Sequence, residues 1–222
     1  MFTAFSLISA LTVLNFIFEN RFETAAWLII LSMVFDFLDG KMARLLKAFS
    51  SFGALFDTFS DFLAFGIVPA VLFYRISLKS IPVLGFVCFV IYIVAGCFRL
   101  VRFTLNNRPA AQKKPFVGLP IPAAAGLIVA FVLLKTSSGF HITDLVFAIV
   151  VLSSSFLMVS KIQYIALDKG KKIELIFLSI AAFLSVIFAF YYPIFVISFW
   201  ILLYISYGVI KHLYFVLFNQ KK

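Results

Sequence analysis

From Leu175 to Ile210 the chain carries no charged residue. A membrane span needs about 20 apolar residues, so this stretch is too long for one crossing. Tyr191-Tyr192-Pro193 is its natural break, because proline cannot donate into the preceding helical turn. The rest of the chain follows the same rule of long apolar runs with brief polar interruptions. Hydrophobic residues make up 64% of the sequence, against roughly 45–50% in globular proteins. Only 13% are charged, too few for a water-facing surface, which is usually about 25–35% charged. A cytosolic enzyme, a secreted domain and a disordered tail are thereby excluded.

Eight candidate spans emerge: residues 2–18, 24–36, 52–74, 81–102, 119–134, 142–160, 175–190 and 193–218. The first lacks a basic start and a small-residue cleavage site, so it reads as a retained span and not a signal peptide. Lysine and arginine set the orientation. With odd-numbered connections outside, that side holds Arg21, Arg75, Lys79 and Lys135, and the other side holds the remaining fifteen basic residues. Both termini are therefore expected in the cytoplasm of a multi-pass inner-membrane protein. The net charge of +10 is scattered between apolar runs, which fits membrane topology and not nucleic acid. Cys88 and Cys97 share one apolar run and read as two buried thiols, with no disulfide implied.

Four of the nine acidic residues, Asp36, Asp39, Asp57 and Asp61, fall where spans 2 and 3 meet. An aspartate at a span centre costs about 2.5–3.5 kcal/mol on insertion scales, so the group needs compensation. Asp36 and Asp39 are i and i+3, and Asp57 and Asp61 are i and i+4, so each pair shares a helix face. Two adjacent helices would aim these pairs at one another, and like charges repel unless a cation lies between them. Oxygen-only carboxylate ligands favour Mg²⁺ or Mn²⁺, and four of them can hold two divalent cations. Gly40, Ala43 and Gly53 leave these faces free of bulk; small residues alone would more often mark close helix packing.

Written out, these residues have the form D-x2-D-G-x2-A-R-x8-G-x3-D-x3-D, from Asp36 to Asp61. This resembles the signature of the CDP-alcohol phosphotransferases, with every defining position filled. The resemblance implies an all-α polytopic membrane protein with a six-helix core and a dinuclear metal site. It also implies transfer of a substituted phosphoryl group from a CDP-linked donor to an alcohol, with release of CMP. Asp36, Asp39, Asp57 and Asp61 would be the metal ligands, with Asp61 also the general base. Asp36, Gly40, Ala43, Arg44, Gly53 and Asp57 would meet the CDP moiety.

Flanking segments carry the resemblance further: Ser60 to Ala70, Gly96 to Phe103, Phe116 to Ala123 and Phe156 to Lys161. They are similar to integral-membrane members that use CDP-diacylglycerol as donor and L-serine as acceptor. Arg99, Arg102 and Lys161 are candidates for the serine carboxylate, since arginine holds carboxylates bidentately; positive-inside anchoring accounts for them as well. The expected organisation is a catalytic core over residues 1–165 and a helical hairpin over 166–222. Membrane lipids and a second copy of the chain are expected partners. Alternatives are the same chemistry on glycerol 3-phosphate or an inositol phosphate, and, remotely, a divalent-cation transporter. Family members usually begin with a proline-containing segment and an asparagine in span 1. Ser6 stands near that asparagine's place, so either the start is truncated or span 1 gives less to the nucleotide pocket. His141 and His212 lack partners at metal spacing and read as structural or solvated.

Overall fold

The computed structural model describes residues 2–46, 51–106, 116–137, 141–164 and 193–219. Among them the chain is all-α apart from one two-residue ladder. Its helices are α1 (Phe2–Phe18), α2 (Phe22–Leu46), α3 (Ser51–Asp61), α4 (Val68–Ile76), α5 (Pro82–Asn106), α6 (Ile121–Ser137), α7 (Asp144–Val159) and α8 (Pro193–Asn219). A π-helical turn, Phe62–Ile67, joins α3 to α4 without a break. The expected spans 1 to 6 and 8 fall on these helices, with α3, the π turn and α4 together making the third. Span 7 lies outside the described residues.

Among the described residues, two stretches, Leu55–Ile76 and Pro82–Leu105, are long and apolar enough by themselves to cross a membrane. Leu7–Phe18, Ile121–Ser137, Asp144–Val159 and Ile194–Ile210 are shorter apolar helices. α6 is buried almost all round, from Ala124 to Leu133, and forms the middle of the bundle. A helix apolar on every face belongs in such a position. α2, α7 and α8 pack around α6, while α1 lies along α2. Gly126 on α6 brings α8 close, since a Cβ there would meet Ile201 Cδ1 at 2.9 Å. The outward face of α5 is different: Phe86, Val90, Val94, Phe98 and Val101 are exposed, a surface suited to lipid.

Hydroxyls inside the bundle donate to their own helix, as Ser154 and Ser155 do to the Val151 carbonyl, each at 2.8 Å. The Ser9 and Ser32 hydroxyls meet at 2.8 Å between α1 and α2. Burial of one such pair replaces two unsatisfied groups by one bond, the usual polar link between apolar helices. The expectation of two buried thiols needs correction: Cys88 is buried, but Cys97 is exposed. Nine positions at about 3.6 residues per turn is two and a half turns, which places the two cysteines on opposite faces of α5.

The contacts sort the polar groups to two ends of the bundle. At one, Arg75 donates to Asn20 at 3.0 Å, and Lys135 pairs with Asp144 at 3.0 Å. At the other lie Asp36, Asp57, Asp61, Arg99 and Arg102.

Candidate functional site

Both halves of the acidic motif are helical. Asp36 sits just past the middle of α2, and the helix continues through Gly40, Ala43 and Arg44 to Leu46. Gly53, Asp57 and Asp61 are on α3, at successive turns of one face. The structure brings one carboxylate oxygen each from Asp36, Asp57 and Asp61 within 4.8 Å of one another. All three are half-buried, and a side-chain hydrogen bond joins Asp61 to Asp36. The side chains of Ser6, Asp39, Gly40, Ala43 and Arg44 lie outside the described part of the structure.

Three carboxylates at this separation cannot all remain ionised unless a cation lies among them; otherwise at least one is protonated. The donor set is oxygen-only and convergent, and so fits a hard divalent cation such as Mg²⁺ or Mn²⁺. Asp36, Asp57 and Asp61 would supply ligand oxygens to it.

Arg99 is 8% exposed, and a buried guanidinium needs compensation. Its electrostatic partner in the site is Asp61, and Tyr204 of α8 lies near it. Its guanidinium carbon stands 5.3 Å from the centre of the Phe103 ring, one turn on. Arg102, three residues further along α5, is employed differently. Its Nη1 donates to the carbonyls of Val159 and Ser160 at 2.9 and 3.3 Å. Its Nη2 donates to those of Val117 and Met158 at 2.8 and 2.9 Å. The guanidinium thus ties the end of α7 to the segment before α6.

The two-residue ladder reinforces that tie, pairing Phe116 with Tyr164 and Val117 with Gln163. Gly118 completes it at φ 85°, and a Cβ there would collide with the Arg102 guanidinium and the Met158 carbonyl. Gly118 to Pro122 therefore shapes the entry to α6 by making room for an arginine. Lys161 is exposed just before the second strand, and His141 is exposed at the other end of α7. His212 has no described side chain.

Residues 1–152 match the model of the CDP-alcohol phosphatidyltransferase family. The chain belongs to this family. The matched CDP-alcohol phosphatidyltransferase region holds all four motif aspartates and both α5 arginines, and it ends within α7. Three similar proteins, each named CDP-diacylglycerol–serine O-phosphatidyltransferase, come from Helicobacter pylori, Bacillus subtilis and Methanocaldococcus jannaschii. The first is 32% identical over 100% of this chain and 94% of its own length. The second is 31% identical over 74% of this chain and 87% of its own. The third is 36% identical over 72% of this chain and 70% of its own. α8, and with it Tyr204, lies beyond the region that the CDP-alcohol phosphatidyltransferase model covers. No spacing rule within the signature points to that tyrosine. Nothing in the sequence sets Tyr204 apart from Tyr207 and Tyr214 on the same helix.

Proposed function

We propose that the chain transfers the phosphatidyl group of CDP-diacylglycerol to the hydroxyl of L-serine, giving phosphatidylserine and CMP. The observation that carries this reading is the convergence of Asp36, Asp57 and Asp61 beside a buried arginine, on a chain of this family. The names of the similar proteins support serine as the acceptor.

In this reading Asp36, Asp39, Asp57 and Asp61 hold two divalent cations. Bound there, such cations offset the charge that develops on the leaving CMP. Asp36, Gly40, Ala43, Arg44, Gly53 and Asp57 receive the CDP moiety, the small residues leaving room for it along α2 and α3. The serine hydroxyl oxygen attacks the phosphorus that bears diacylglycerol, and the bond from that phosphorus to CMP breaks. Asp61 takes the hydroxyl proton, since serine is a weak nucleophile at neutral pH without a positioned base. Arg99 receives the serine carboxylate from the neighbouring helix, where its planar fork matches two carboxylate oxygens. Arg102 holds backbone in place, because its donors already engage four carbonyls. Lys161, exposed at the same end, draws anionic groups to the site mouth.

The topology proposed with this function has eight spans, both termini in the cytoplasm and the carboxylates at the cytoplasmic face of the inner membrane. Residues 1–165 form the catalytic core and 166–222 a helical hairpin, with a homodimer as the assembly. The distribution of basic residues supports that orientation. The acyl chains of the donor then stay in the bilayer while its pyrophosphate reaches the carboxylates at headgroup depth.

The deciding experiment incubates purified protein in mixed micelles with CDP-diacylglycerol and, in turn, labelled serine, glycerol 3-phosphate and inositol phosphate. Phosphatidylserine and CMP should form in equal amounts, only with serine, and EDTA should stop the reaction until Mg²⁺ or Mn²⁺ is restored. Product from a different alcohol would reassign the acceptor, and turnover unaffected by EDTA would remove the metal reading.

A further inference from the structure

Pro69 sets a problem for the helix that continues from Asp61. In an α-helix the carbonyl of residue 65 accepts from the N–H of residue 69. Proline has no N–H, and its ring presses on that same carbonyl. The backbone widens in response. Residues Phe62–Ile67 form the π turn, and the Val68 N–H donates to the Leu63 carbonyl five residues back.

The Phe65 carbonyl, denied its α-helical donor, accepts a hydrogen bond from the Tyr92 hydroxyl at 3.0 Å. Both residues are fully buried. The Tyr92 ring is gripped edge-on by Phe73, with centroids 5.6 Å apart, so packing aims the hydroxyl. Tyr92 lies on the buried stripe of α5 that runs through Cys88, Ala95 and Arg99. Arg99 is seven residues, or about two turns, further along the same face. The bond therefore anchors α5 to a turn that begins at the residue immediately after Asp61.

We propose that Tyr92 is a positioning residue for the carboxylate cluster. Its hydroxyl stands in for the amide that Pro69 lacks, holds the π turn in register, and thereby fixes the direction in which Asp61 meets Asp36 and Asp57. A π turn inserts one residue into the helical cycle, so its relaxation rotates the residues on one side of it relative to the other. Asp61 is the last residue before that rotation. This inference rests on the reading of the cluster as a metal site.

The test uses the full chain in detergent and the variant Tyr92→Phe, which keeps the ring and its contact with Phe73. Mn²⁺ binding is measured directly, by the electron paramagnetic resonance signal of the free ion, alongside turnover against Mn²⁺ and serine. Mn²⁺ binding should weaken roughly 10-fold, as loss of a group supporting a metal ligand typically does. The serine KM at saturating Mn²⁺ should stay unchanged. Placed in a Pro69→Ala background, where residue 69 offers its own amide, Tyr92→Phe should change Mn²⁺ affinity by less than about twofold. Unchanged Mn²⁺ binding in a folded Tyr92→Phe protein overturns the proposal, as does an equal loss in both backgrounds. Should Tyr92→Phe alone not fold, the double variant should fold and bind Mn²⁺ like Pro69→Ala; if it does not, the proposal is overturned. Parental Mn²⁺ binding by Asp61→Asn would instead overturn the metal-site reading on which it rests.

Discussion

Asp61 and Asp144 are both half-buried aspartates in an apolar bundle, and their surroundings could hardly differ more. Asp144, at the start of α7, accepts from the Ser77 hydroxyl, from Ser80 at 2.5 Å and from Lys135 at 3.0 Å. Its charge is matched by donors from two segments, the α4–α5 connection and α6, which it draws together at one end of the bundle. Asp61, some 16 residues before Ser77 along one helical run, is given two more carboxylates as neighbours and one arginine. A bundle that satisfies one aspartate with hydroxyls and a lysine sets Asp61 among two further carboxylates with one arginine beside them, and that excess of negative charge is what a bound cation would offset.

The comparison breaks most visibly at Asp61. Asp61→Asn should lower CMP release by about 10³-fold or more, since it removes the proposed base and a metal ligand together. Full turnover by that variant, assayed in micelles, would make Asp61 as structural as Asp144. The two arginines of α5 sharpen the same contrast within a single helix. Arg99→Ala should raise the serine KM by about 10- to 100-fold, the worth of a charge-assisted hydrogen bond, with little change in the CDP-diacylglycerol KM. Arg102→Ala should leave both constants near parental values and lower the unfolding temperature, because its partners are carbonyls. Equal effects on both substrates from Arg99→Ala would mark it as structural. The smallest effect belongs to Asp144→Asn. Loss of its partly exposed pair with Lys135 should cost about 1 kcal/mol of stability, read as an earlier thermal transition, with turnover per folded molecule unchanged.

Much of the architecture was legible along the chain because apolar length and breaks by charge or proline are local quantities. The expected first span coincides with α1, and the last with α8 apart from its final residue. The π turn was written in the sequence too, at Pro69, but a proline inside an apolar run can kink, widen or end a helix. Which of these occurs depends on whether a donor such as Tyr92 reaches the displaced carbonyl from another helix. The two cysteines show the same limit in miniature, since helical rotation separates their faces but packing decides which face is inward.

The sequence alone determined the membrane class, the faces on which the aspartates lie and the resemblance to a lipid head-group transferase, because each follows from identity and spacing within one segment. Only the tertiary structure decided that Asp36, Asp57 and Asp61 meet. It alone distinguished Arg99, beside the carboxylates, from Arg102, gripping carbonyls three residues on. Spacing sets the angle between side chains on one helix. The angle between helices is set by packing contacts drawn from the whole chain.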